Sequence, residues 1–344
     1  MRISKWIKPL CFLLVVCLCN MGMSFLFLPA MGSSKTMWEE YYREEEIDMV
    51  FIGSSLCSAS FNPQIIDELL GVKSFNTGTP MQGIKQHITA IETVLEDHEI
   101  DTIVIALGFF ALQIEDEEAV ELTFQRALAK QKGGLKGISH EWKYVLSEDV
   151  RGTEASINYW FPWMYDKESY TWDIISKNVQ SKIRLWNENE VSESTKGYRP
   201  YEGVMVEGEY SSSAQMYKQD IEYEQVDKLK KLLAICEESG ADVIVVNTPH
   251  PTFDIISCAE TYGDNTELVQ SLCEKYNVDY YDFSLAKPEL FDAKEEYYYN
   301  FEHLNGTGAE VFCNVFCDLM QKRATGENVE DYFYSVKEFF EIMQ

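Results

Sequence analysis

Two short segments near opposite ends of the chain could supply a nucleophile and its base. Residues 49–53 form a continuous apolar run that reads as a buried strand, and Ser54 and Ser55 follow it in a small-residue turn. Far downstream, Glu302-His303-Leu304-Asn305-Gly306 comes just before a helical stretch. A serine hydroxyl is a weak nucleophile until a base takes its proton. Histidine suits that task because its pKa lies near neutrality. The chain has five histidines: His87, His98, His140, His250 and His303. His87 and His98 fall on or just after what reads as a surface helix, and His140 falls in an insertion. His250 and His303 both lie beyond strand ends. His250 sits between Pro249 and Pro251, which fix a rigid loop, and either serves as an alternative base or shapes the pocket.

These residues need a frame that brings them together. Strands are expected at 49–53, 72–76, 102–107, 242–247 and 278–283, and helices at 63–70, 86–95, 223–239, 267–276 and 308–322. Pro63 opens the first of these helices and Gly71 follows it; Gly240 closes a later one. The alternation implies an α/β fold with a mainly parallel sheet between two helical layers, a flavodoxin-like α/β/α sandwich. Ligands in such folds sit beyond the carboxyl ends of the strands. Ser54 and Ser55, then Asn76 to Gly78, Gly108, residues 247–250 and His303 would all converge on that rim. The 81–83 loop, Met-Gln-Gly, is placed to line it.

The alternation breaks once, between Gly108 and Asp242, where the chain is far longer than a crossover needs. An insertion of about 112–221 is expected. It holds the run Tyr159-Trp160-Phe161-Pro162-Trp163-Met164-Tyr165, then Tyr170, Trp172 and Trp186. A small helical subdomain with an aromatic core is the simplest reading. A lid, a sugar-stacking platform and a membrane-docked surface are the functional alternatives. Residues 38–46 read as a charged helical stalk.

At the N-terminus, Arg2, Lys5 and Lys8 precede an uncharged run over 9–30 whose clearly polar side chains are Asn20 and Ser24. A membrane span needs roughly 20 apolar residues. The flanking charges place the N-terminus in the cytoplasm. A cleaved signal peptide would have a shorter apolar region, about 7–15 residues. The expected organisation is therefore a cytoplasmic stub and anchor over 1–33 and an extracytoplasmic domain over 34–344. The formal net charge of −28 argues against nucleic acid, whose phosphates need clustered Lys and Arg. Nine cysteines show no CxxC or Cys/His metal spacing, so no metal site and no cofactor are expected.

Three blocks of this sequence resemble the SGNH, or GDSL-type, hydrolase superfamily. They lie within 49–108 and 240–322, and the insertion is unmatched. The likeness is greatest to its membrane-anchored bacterial branch, similar to the teichoic acid D-alanine-transfer protein and to exopolysaccharide O-acetyltransferases. Gly53-Ser54-Ser55 matches the first block, which implies Ser55 as the nucleophile. Phe75-Asn76-Thr77-Gly78 matches the second, which implies the Gly78 amide as an oxyanion donor beside that of Ser55, with Asn76 at the substrate. His303-Leu304-Asn305 matches the last and implies His303 as the base. The third block departs from the family pattern: Gly108-Phe109-Phe110 stands where a Gly-x-Asn is usual. So does the residue three before the histidine, Asn300 instead of an aspartate, which leaves Asn300 or Glu302 to orient the imidazole, or a Ser–His dyad. The resemblance implies a serine esterase or O-acyltransferase acting on acylated cell-envelope glycan or teichoic acid, with a multi-spanning membrane acyltransferase as partner. The other class of reading is a non-catalytic envelope protein that binds glycan or such a partner.

Overall fold

The computed structural model describes residues 6–29, 32–164, 170–188, 194–205, 212–216 and 220–343. Arg2, Lys5, Tyr165 and the Trp186 side chain lie outside the described residues. The chain forms two compact units, one of Met1–Thr36 with Leu122–Glu193 and one of Met37–Glu121 with Ser194–Gln344.

The second unit carries the sheet. Its strands are β1 (Met49–Gly53), β2 (Ser74–Asn76), β3 (Thr102–Ala106), β4 (Asp242–Asn247) and β5 (Asp279–Asp282). They run in the order β2-β1-β3-β4-β5 and every pairing is parallel. The strands lack polar alternation because helices cover both faces. Numbered from the N-terminus, the helices are α1 (Ile7–Phe27), α2 (Ser33–Tyr41), α3 (Ser55–Ser60), α4 (Pro63–Leu70) and α5 (Ile84–Asp97). Then come α6 (Glu118–Lys132), α7 (Gly134–Val145), α8 (Glu154–Trp160), α9 (Trp172–Glu188) and α10 (Ser213–Met216). The last are α11 (Tyr223–Ser239), α12 (Thr252–Ser257), α13 (Ala259–Lys275), α14 (Gly306–Ala324) and α15 (Val336–Ile342).

Side chains alternate across each strand. Phe51, Val104, Ile244 and Val246 point to one face, where Phe61, Phe312 and Phe316 complete a fully buried cluster. Phe51 stacks on Phe61 at 4.5 Å, and Phe312 meets Phe61 edge-on at 5.2 Å. The opposite face is covered by α5 and α11, which pack on each other.

Residues 38–46 are not a solvated stalk. α2 ends at Tyr41, and Trp38 and Tyr41 are fully buried, Tyr41 edge-on to Phe75 at 5.5 Å. Glu40 is buried too. Its carboxylate accepts from Arg199 Nη2 (2.9 Å), the Gly197 amide (2.9 Å) and Thr195 Oγ1 (3.0 Å). Residues 112–121 and 194–205, expected in the insertion, belong to the sheet-bearing unit.

The first unit joins α1 with most of the insertion. α1 is 21 residues long and apolar enough to cross a membrane. The insertion has a small core of its own: Leu122, Tyr144, Val145, Val150, Ala155 and Tyr159, with Trp160 packed against it.

Candidate active site

β1 delivers Ser54 and Ser55 to the carboxyl edge of the sheet. Ser54 Oγ accepts from the Leu56 amide (3.3 Å) and caps α3, so Ser55 is the first helical residue. Only glycine fits before them. A Cβ at Gly53 would lie 2.6 Å from Cys57 Cβ and 2.7 Å from the Ala106 carbonyl oxygen. Gly53 pairs with Ala106 in the ladder, so Ser55 and Gly108 leave their adjacent strands at the same level. This is the point where the strand order reverses direction, the usual ligand crevice of such sheets.

His303 arrives from the loop before α14. Asn305 fixes that loop: its Oδ1 accepts from the Gly308 amide (2.9 Å) and its Nδ2 donates to the carbonyls of Glu296 (2.8 Å) and Gly203 (3.0 Å). His303 Nε2 lies 2.8 Å from Ser55 Oγ, and His303 Nδ1 lies 3.1 Å from Asn300 Oδ1. The Asn300 oxygen also accepts from the amides of Glu302 (3.1 Å) and His303 (2.8 Å), which sets its orientation. An amide oxygen only accepts, so Nδ1 carries the hydrogen and Nε2 is left to accept from the serine hydroxyl. That is the tautomer a general base requires. Glu302 Oε1 stands 3.7 Å from Nδ1, beyond hydrogen-bond distance.

Burial pushes the His303 pKa down to about 4, and the nearby His250 adds to the effect. The imidazole is therefore neutral at pH 7.

The other expected site residues have different places. Asn76 is fully buried and does not line the cavity. Its Nδ2 donates to the carbonyls of Cys57 and Phe61 (2.9 Å each) and its Oδ1 accepts from the Gly78 amide (2.9 Å). Asn76 is thus a pin between β2 and α3, not a substrate contact. The same bond occupies the Gly78 N–H, so Gly78 is corrected from oxyanion donor to packing residue. A Cβ there would lie 2.7 Å from both the Ser54 carbonyl oxygen and the Ser58 amide. The backbone amides of Ser55 and Gly108 make no hydrogen bond to another described residue. His250 is 1% exposed and absent from the cavity wall. Its Nδ1 pairs with Asp254 Oδ2 at 3.1 Å, and its ring lies edge-on to Phe109 (5.2 Å) and Phe110 (6.0 Å). Of the two rim histidines, His303 is the one bonded to Ser55.

A cavity of about 220 Å³ opens beside Ser55 and His303. Its wall is mostly apolar: Leu56, Met81, Ile84, Leu107, Phe110 and Ile114 line it, with Glu115, Glu117 and Glu302 also contributing. The 81–83 loop lines it as expected. Tyr201 and His87 also line it, one unmarked in the sequence and the other expected elsewhere. Tyr201 packs its ring 4.7 Å from His303 and stacks on Tyr299 at 4.8 Å. No spacing signal could place it, because it lies in an irregular segment of the sheet-bearing unit, outside the alternation of strands and helices. His87, expected on a surface, is 3% exposed in this wall, and burial lowers its pKa to about 4. Its place on α5 explains this: Ile84, Ile88 and Ile91 face the sheet, and His87 shares their stripe.

No family model matches the chain, and no curated protein matches it. Among solved structures, it is similar to a candidate acylhydrolase from Bacteroides fragilis (10% identity, 82% of this chain and 93% of that one, TM-score 0.40). It is similar to a candidate GDSL-like lipase from Parabacteroides merdae (12% identity, 82% and 97% covered, TM-score 0.38). A third is described as a candidate platelet activating factor from Streptococcus pneumonia (12% identity, 89% and 97% covered, TM-score 0.37). Likeness at this level carries no argument about chemistry, for which the residues themselves must serve.

Proposed function

We propose that this chain is a membrane-anchored serine esterase or O-acyltransferase. The observation that carries the reading is the hydrogen-bonded series Ser55 Oγ, His303 and Asn300 Oδ1 at the mouth of an apolar cavity. Ser55 Oγ attacks the acyl carbonyl while His303 Nε2 takes its proton. The C–O bond to the alcohol then breaks, the proton passes to the departing oxygen, and an acyl-serine remains. Water or a second hydroxyl attacks that ester, again losing its proton to His303, and Ser55 is released. The Ser55 amide, at the start of α3, is the first donor to the oxyanion, and the Gly108 amide beside it is the second. Losing one such donor costs on the order of a hundredfold or more in turnover.

The apolar wall suits the acyl group. The resemblance of the sequence blocks supports an acylated cell-envelope glycan or teichoic acid as the substrate, and a multi-spanning acyltransferase as a partner. The length and apolarity of α1 support an anchor with its N-terminus in the cytoplasm. Full-length protein should react with an active-serine fluorophosphonate and turn over an aryl ester. Both activities should vanish in Ser55→Ala, and turnover should vanish in His303→Ala. Turnover that survives both substitutions excludes this site. Adding a saccharide acceptor then separates transferase from esterase.

A second reading has one observation in its favour. The Gly78 N–H is committed to Asn76, so one expected oxyanion donor is unavailable. On that reading the pocket binds an acylated glycan or a membrane partner without turnover, and the fluorophosphonate leaves the protein unlabelled.

A further inference from the structure

α1 has one covered face. Val16, Asn20, Met23, Ser24 and Phe27 are half-buried, and the other residues of the helix are exposed. Those five fall on one stripe of a helix. Its cover is the insertion, in the same compact unit. α9 packs along α1. Phe27 meets Tyr170 at 4.6 Å, Asn178 Nδ2 donates to the Phe27 carbonyl (2.8 Å), and Lys182 Nζ reaches the last carbonyls of the helix at Phe25 and Leu28.

Asn20 gives the depth of this contact. Its Nδ2 donates to the Trp160 carbonyl (2.9 Å) and its Oδ1 accepts from Trp163 Nε1 (2.7 Å). Asn20 lies one and a half to two turns before Phe27, about 10 Å along the helix axis. With Phe27 at the edge of a hydrocarbon layer about 30 Å thick, Asn20 lies well inside it. A polar side chain there needs partners, and the insertion supplies both. Trp160 and Trp163 must then stand at the same depth.

The apolar surface continues outward from Trp160. Its ring lies 5.6 Å from that of Trp142 on α7. Leu135, Ile138, Trp142 and Leu146, at helical spacing, are 86%, 51%, 51% and 55% exposed. The opposite side of α7 already buries Tyr144 and Val145 in the insertion's core. A helix of a soluble unit hides its apolar stripe; α7 hides one and presents a second. Exposed Lys136 and Lys143 border one side of that stripe, where their stems can snorkel to a lipid surface. The charge fits as well. Residues 122–193 carry ten Lys and Arg against ten Asp and Glu, so the whole excess of −28 falls elsewhere in the chain.

We infer that α7 lies in the lipid interface with its Leu135–Ile138–Trp142–Leu146 face against the acyl chains, making the insertion a second membrane-contacting element beside α1. The inference rests on the reading of α1 as a membrane span, and the test separates the two. Full-length protein is placed in phosphatidylcholine–phosphatidylglycerol bilayers brominated near the headgroup end of the acyl chains. The fluorescence contributed by Trp142, taken as the difference between the protein and Trp142→Phe, should be mostly quenched relative to unbrominated lipid. A Leu135→Glu/Ile138→Glu variant, altered only at exposed positions, should lose most of that quenching. A Trp142 component equally bright in both lipids, in protein that resists carbonate extraction, overturns the inference and leaves the anchor standing. Protein released by carbonate overturns both.

Discussion

Asn300 is the residue on which the candidate chemistry turns. It holds the imidazole in the tautomer a base needs, yet it brings no charge to stabilise the imidazolium formed when Ser55 loses its proton. The low pKa of His303 comes from burial first and from the nearby His250 second, and the neutral amide at Nδ1 supplies no charge to offset them. If His303 is the base, kcat/KM should persist to acid and fall off only near pH 4, where the imidazole becomes protonated. Asn300→Asp should move that acid limb upward and raise turnover about tenfold or more. An acid limb unmoved by the substitution would remove Asn300 from the mechanism. The sequence marked Ser55 and His303 through their contexts, one at the exit of a strand and the other just before the start of a helix. It did not disclose that Asn76 turns inward. An asparagine at a strand end has two amide atoms to satisfy, and whether substrate or backbone satisfies them depends on how closely α3 approaches.

At the scale of elements, the strands were readable because helices cover both faces and leave continuous apolar runs. The short helix α2 reads as a solvated stalk because its charged residues outnumber the aromatic side chains that decide its burial. Glu40 shows the cost of reading charge as exposure: its side chain is 5% exposed and binds Arg199 and the loop at 195–197. Glu40→Gln keeps the size and loses the charge. It should destabilise the protein by about 1–3 kcal/mol in denaturant unfolding, the range for hydrogen bonds to an ionised group, discounted for the partly exposed arginine. An unchanged midpoint would show that the loop holds without that ion pair. The glycine at 78 is stricter. Its replacement by alanine drives a methyl group into the Ser54 carbonyl and should lower both stability and turnover.

For the whole molecule, pH acts through two opposed sets of groups. The excess of carboxylates repels itself at neutral pH, and acid relieves that repulsion. His87 and His303 work the other way. Each is held down to about 4 in the folded protein against an ordinary value of 6.5. The unfolded chain therefore takes up protons first. The stability linked to these two residues is complete above pH 6.5 and is lost as pH falls towards 4. Comparing His87→Phe with the parent cancels the carboxylate contribution. The variant should gain melting temperature relative to the parent as pH drops from 7 to 5. Parallel curves would mean that His87 titrates normally.

The Asn76 amide donates to the Lys196 carbonyl (2.9 Å), and Gly197 passes so close that a Cβ would overlap the Asn76 carbonyl oxygen. β2 is one of the two edge strands, so this contact blunts an edge that could otherwise pair with a second chain. Residue 196 leaves the ribosome about 120 residues after residue 76. The edge therefore stays open throughout synthesis of the insertion, the interval in which a nascent chain is most exposed to aggregation. Shortening the insertion without sparing 194–199 would leave that edge uncovered for good.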